Sequence, residues 1–202
     1  MKDRDIQLLF EISAFRHFDR AWKHWLGPDT ANHAEHSFRV ALYALMIAKQ
    51  EKKGNHEKIL KMALLHDLPE SRCTDVDHIQ RQYVQRDEEM ATEDIFSGTV
   101  LYEEAIPLLK EYHDRKSIES KIVKDADLID ADVEFREVIV AGATMHKKHL
   151  AKRRAGVVPK MFTKTARALF EQIHKADPND WHLKSLRNRF NGGDWQKANK
   201  EK

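Results

Sequence analysis

Between residues 32 and 52 the chain distributes Phe38, Val40, Ala41, Leu42, Leu45, Met46 and Ile47 nearly all the way round one helix. A helix that is apolar on every side must be covered on every side, so it belongs at the centre of a bundle. Its neighbours must then supply matching stripes. Residues 5–18 offer Ile6, Leu9, Phe10 and Ile12, and residues 56–67 offer Ile59, Met62 and Ala63 on one face. The run 117–150 lines up Ile118, Ile122, Ile129, Val133 and Val140. Strand-like alternation is scarce and only 7 Gly and 5 Pro occur, so an all-α protein is expected.

Turn signals divide the helices. Gly27-Pro28-Asp29 precedes the central helix and Gly54-Asn55 ends it. Helices are also expected at 84–101 and 103–113, interrupted near Gly98 and Pro107, and again at 161–175 and 181–190. The segment 70–82 reads as a loop with short turns. "KKHLAKRRAGVVPK" (147–160) reads as a basic surface connector carrying His149, with His146 just before it. No linker rich in Gly, Pro or Ser divides the chain, so residues 1–190 are expected to form one domain, followed by a mobile tail at 191–202.

Composition narrows the function classes. A net charge of +2 gives no broad basic field for nucleic acid. The 147–160 cluster is the exception, but it lacks the interleaved aromatics of a stacking surface. Nucleic-acid binding through it is the alternative function. One cysteine, Cys73, excludes an intramolecular disulfide and suits a reducing compartment. "MKDRDIQLLFEIS" lacks the apolar core of a secretory leader, and no run approaches the roughly 18 apolar residues of a membrane span. A cytoplasmic protein is expected.

Three stretches put polar groups where a core should be. In "KMALLHDLPE", His66 continues the stripe of Ile59, Met62 and Ala63, with Asp67 beside it. In "NHAEHSFRVALYA", His36 shares a face with Val40, Tyr43 and Ile47, so it should point inward. His33, one turn earlier and near the helix start, is expected at the solvent. In "KIVKDADLIDADVE" four aspartates interrupt an apolar helix, and Asp127 follows Val123 on an apolar stripe. Burying an unpaired carboxylate is very costly. A hydrogen-bonded His–Asp core network is one answer. The other is a divalent transition metal held by His36, His66, Asp67 and Asp127, two imidazoles and two carboxylates from three helices. The metal answers all of these oddities together, because its charge offsets the buried carboxylates. The other His-Asp pair, His113-Asp114, lies among charges and reads as a solvated helix end.

"AEHSFRVA", then "LLHDLPE", then "KDAD", in the order H…HD…D across roughly residues 20–140, resembles the HD-domain metal-dependent phosphohydrolases. The resemblance is closest to the 5′-deoxynucleotidase branch. It implies a single helical HD core at about 30–140 with one divalent metal (Mn, Co, Fe, Ni or Zn) between central helices, held by the same four residues. In "HDLPESRCTD", Glu70 and Asp75 match the branch's glutamate and aspartate. The resemblance implies that they help activate water, assist the leaving oxygen and contact the sugar. It also implies an arginine and a tryptophan gripping phosphate and base. Trp22 stands in the tryptophan's place, and Arg20 or Lys23 would supply the charge. Trp22 and Trp25 either stack a base or close the core edge. His113 would lie just behind the site. The implied activity is hydrolysis of (deoxy)ribonucleoside 5′-monophosphates by a homodimer, with another nucleotide phosphoester or a pyrophosphate linkage as the alternative substrate.

Overall fold

The capping box at the head of the central helix fixes where that helix begins. The Asn32 side chain accepts from the Glu35 N–H, and the Glu35 carboxylate accepts from the Asn32 N–H. In this computed structural model, which describes residues 3–27 and 30–184, the helix is α3 (His33–Glu51). Around it run α1 (Asp3–Ala14), α2 (Lys23–Leu26), α4 (His56–Leu65), α5 (Glu70–Cys73), α6 (Glu88–Phe96) and α7 (Tyr102–Asp114). They are followed by α8 (Ile118–Val140), α9 (Lys147–Val157), α10 (Lys164–Ile173) and α11 (Asp180–Leu183). Among the described residues there is no strand, only an isolated bridge between Asp19 and Asn32. The all-α expectation holds. The expected tail at 191–202 and most of the helix expected at 181–190 lie outside the described residues.

Helix α3 packs against α4 and α8, and α10 closes over α8. Val40, Ala44, Ile47, Ile59, Met62, Ile122, Val123 and Phe170 form the main core. Each large side chain there contributes roughly 1.5–3 kcal/mol by burial. Gly54 makes the α3–α4 turn possible. Its φ is +83°, and a Cβ there would lie 2.9 Å from Ile59 Cδ1. A second core joins Leu8 and Phe15 to Leu68, Ile95, Phe96 and Leu109.

The bundle departs from the sequence pattern in four places. Central α3 is not covered all round: Phe38, Leu42 and Met46, spaced four apart, are 61%, 46% and 51% exposed. Pro107 does not interrupt α7. It lies on the exposed face, so the Glu103 carbonyl it leaves without a helical donor can turn to water. Helix α8 stops at Val140 instead of running on to 150. Gly142, at φ +115°, donates to the Ile139 carbonyl, and Ala143 donates to the Val138 carbonyl. The basic connector is α9, a helix laid along α8.

Candidate metal centre

All four aspartates of "KDADLIDADVE" lie on α8, and each has its own partners. Asp125 accepts from the backbone of Phe162 and Thr163, which pins the start of α10. Asp132, fully buried, takes Arg153 at 3.0 Å, Arg154 at 2.5 Å and His174 at 3.0 Å. Asp130 takes Arg39 at 2.5 Å and the Nδ1 of His36 at 2.7 Å. Asp127 is steadied by Lys124 at 2.6 Å and reaches the His36 Nε2 at 3.4 Å. Buried carboxylates paired this way escape the penalty of isolation.

His36 is 1% exposed and His66 is 3% exposed. His66 follows α4 on a turn, and its Nδ1 donates to the Ala63 carbonyl at 2.8 Å. With Nδ1 engaged on both rings, each Nε2 faces inward, and neither has a hydrogen-bond partner. Asp67 fills the space between them, 3.3 Å from the His36 Nε2 and 3.2 Å from the His66 Nε2. His36, His66 and Asp67 offer ligand atoms within 4.8 Å of one another. Imidazoles oriented through Nδ1, with Nε2 left bare and carboxylates alongside, are what a divalent ion requires. The donor set therefore fits a transition-type divalent ion.

The electrostatics follow from this crowding. Burial and the Arg20 cation push His36 down, but Asp127, Asp130 and Asp67 outweigh them and hold it up at about 10. Burial brings His66 down to about 4. Burial would raise Asp67, yet the imidazoles of His66, His33 and His36, together with Arg20, hold it well below the carboxylate range. Glu70 goes the other way: burial, Asp67 and Asp75 push it well above its usual range against Arg86.

Arg20 reaches the cluster, with Nη1 2.5 Å from Asp67, Nε 3.9 Å from Asp75 and Nη2 4.0 Å from Asp127. Asp75 accepts from the Ala21 N–H at 2.9 Å, which ties the two loops together. These residues open onto a cavity of about 460 Å³, lined among others by Trp22, Asp127, Lys124 and Arg153. The Trp22 ring meets Phe135 edge-on at 5.4 Å and has the Arg153 guanidinium 5.8 Å away. Trp22 thus closes a core edge and walls the cavity together.

Several expectations need correction. Lys23 is turned away and pairs with Asp19 at 2.8 Å. Trp25 is an exposed residue against His78. His113 is exposed beside Glu88 and touches none of the four residues. Its neighbour Tyr112, a helical step round, packs edge-on against His66 at 5.3 Å. His33 is 1% exposed, because its N–H donates to Phe18 and the 15–19 segment lies over it. His146 is buried, and His149 lines the cavity beside Trp22. Arg153 and Arg154 are paired with Asp132 instead of standing free on a surface connector. Cys73 carries no reactive thiolate, since burial raises it to about 11. Reading single residues misses Asp130, Arg39 and Arg86. The signal for the first two was their spacing, three residues after Asp127 and three after His36.

Fold and site together define an all-helical protein whose central imidazoles and carboxylates suit a divalent ion. The HD domain family model matches residues 13–169, and the chain belongs to that family. It is 31% identical over 110 residues to a zebrafish (Danio rerio) protein named 5′-deoxynucleotidase HDDC2, and it spans about half the length of that relative. A conserved hypothetical protein of Pyrococcus furiosus superposes with a TM-score of 0.70 at 26% identity, covering 85% of this chain and 99% of that one. A protein of Magnetospirillum magnetotacticum, described as a predicted metal-dependent phosphohydrolase, superposes with a TM-score of 0.65 at 19% identity. It covers 85% of this chain and 92% of its own, and it supports the fold.

Proposed function

We propose that the protein is a cytoplasmic, homodimeric phosphohydrolase that converts (deoxy)ribonucleoside 5′-monophosphates to nucleoside and phosphate. One observation carries the reading: the bare, buried Nε2 atoms of His36 and His66 face Asp67. The nearby 460 Å³ cavity has Arg20 and Trp22 in its wall. The zebrafish relative's name supports the substrate class.

His36, His66, Asp67 and Asp127 would hold the divalent ion. When bound, it supplies Lewis acidity that favours ionisation of water and offsets phosphoryl charge. Glu70, whose carboxyl is raised by burial and by its acidic neighbours, takes the proton from the attacking water. Asp75, anchored by the Ala21 N–H, orients the sugar and the leaving oxygen. Arg20, a fixed cation at the cavity floor, receives the phosphate. Trp22 presents a ring to the base.

Phosphate release from a panel of nucleoside mono-, di- and triphosphates, with Mn²⁺, Co²⁺, Fe²⁺, Ni²⁺ and Zn²⁺ in turn, tests this reading. The expected result is phosphate plus nucleoside from the monophosphates. Pyrophosphate as product would favour the other substrate class, and no hydrolysis with any metal would remove the enzyme reading. Size-exclusion chromatography with light scattering checks the dimer.

A further inference from the structure

We infer that His33, Glu70 and Asp75 form a second divalent-cation site beside the first, with Asp67 between the two. The inference rests on the first centre, reading Glu70 and Asp75 as ligands in addition to their catalytic roles. The three residues offer ligand atoms within 4.8 Å of one another. His33 opens α3 one turn before His36, so both imidazoles hang from the same face of one helix.

Two buried atoms in this group lack a partner. His33 is 1% exposed and its Nδ1 makes no hydrogen bond. Glu70 is 8% exposed and its Oε2 makes none either. Each residue is clamped elsewhere. Arg86 holds Glu70 Oε1 at 2.8 Å, which turns Oε2 inward. Asp75 is held by the Ala21 N–H. His33 has its ring stacked at 5.3 Å from Phe15. Fixed side chains, with Glu70 Oε2 left bare toward the His33 Nε2, are what a preformed ion site presents.

The spacing agrees. His33 Nε2 lies 3.5 Å from Glu70 Oε2, and His33 Nδ1 lies 3.6 Å from Asp67 Oδ2. Ligands about 2.1 Å from a shared ion stand roughly 3–3.5 Å apart. A plain hydrogen bond from His33 Nε2 would satisfy Glu70 Oε2, yet the pair does not form one, and Nδ1, on the other side of the ring, would stay bare. One imidazole with two carboxylates suits Mn²⁺, Fe²⁺, Co²⁺ or Zn²⁺ better than Ca²⁺ or Mg²⁺. Arg20 already sits between Asp67 and Asp75, and a neighbouring dication repels another. The second ion is therefore held more weakly and fills after the first.

The test is metal content of the purified full chain, stripped and then equilibrated with Mn²⁺ from micromolar to millimolar. Content is read by plasma mass spectrometry, and coupling by electron paramagnetic resonance. The wild type is expected to rise from one Mn²⁺ per chain to two, with a spin-coupled spectrum at saturation. His33→Val is expected to stop at one, with the isolated Mn²⁺ spectrum retained. Glu70→Gln should do the same, which covers the case in which His33→Val fails to fold, as judged by circular dichroism. Saturation of the wild type at one, or two ions retained in both variants, overturns the second site and leaves the first standing. No Mn²⁺ at all in the wild type would overturn both.

Discussion

The Arg20 guanidinium lies 2.5 Å from the Asp67 carboxylate, between the residues that would hold a metal and the cavity that would hold a substrate. Arg20 is 9% exposed and faces Asp75 and Asp127 as well, and these carboxylates hold its proton tighter than usual despite burial. It competes with a cation for the carboxylates and attracts an anion into the cavity. Arg20→Ala should therefore bind metal several-fold tighter yet raise KM for a nucleoside monophosphate by about 10- to 100-fold. That range corresponds to a charged hydrogen bond worth about 1.5–3 kcal/mol. Chelator competition and steady-state kinetics on the same preparation check both directions. An unchanged KM would take Arg20 out of phosphate binding.

His66→Ala and Asp67→Ala remove donors from the centre of the cluster. Either variant should lose stoichiometric metal and all measurable hydrolysis. Glu70→Ala should keep the first ion and lose most turnover. Full rate in Glu70→Ala would show that the carboxylate moves no proton in the reaction.

Asp130 touches His36 at 2.7 Å and nothing in the cavity. Its role is to hold the ring so that Nε2 points at Asp67 and Asp127. Asp130→Asn should weaken metal affinity by about 10- to 100-fold while the helical signal stays intact. A competition assay with a coloured chelator reads this directly. Loss of helicity at the same time would instead make Asp130 a folding residue.

The sequence showed which residues meet better than how they are held. The periodicity of 56–67 and of the α3 stripe sent His66 and His36 inward, and H…HD…D spacing does not depend on fine geometry. His33 is buried against expectation because its covering comes from the 15–19 segment, a contact between residues distant in sequence. The lysines of 147–160 are exposed as a basic surface segment should be, but its two arginines are not, for the same reason. Arg153 and Arg154 find Asp132 only once α9 folds back on α8. Long cationic side chains give no local sign of where their heads will rest.

Metal binding should release protons, and the sign follows from the two histidines. In the metal-free fold the His36 imidazole is held at about 10, so its contribution to stability is full below 6.5 and lost as pH rises through about 10. His66, held at about 4, works in reverse, with its contribution present above 6.5 and lost as pH falls through about 4. At pH 7.5 His36 must give up its proton to ligate and His66 has none to give. Titration calorimetry with Mn²⁺ in two buffers of different ionisation enthalpy should report about one proton released per first-site ion. No release would mean that His36 stays charged and is not a ligand.

Asp132 tests whether α9 belongs to the cavity wall. Its buried carboxylate gathers Arg153, Arg154 and His174, and Arg153 lines the cavity beside Trp22. Asp132→Ala leaves two guanidinium groups without their counter-charge in a largely dry site. Breaking a buried pair from one side costs about 3–5 kcal/mol, a large fraction of a domain's stability. A urea midpoint should fall accordingly. Metal content at saturation should be unchanged, because His36, His66, Asp67 and Asp127 keep their own partners. KM should rise as Arg153 loses its anchor and the wall behind Trp22 loosens. A normal KM with the same stability loss would show that α9 braces the bundle without shaping the cavity.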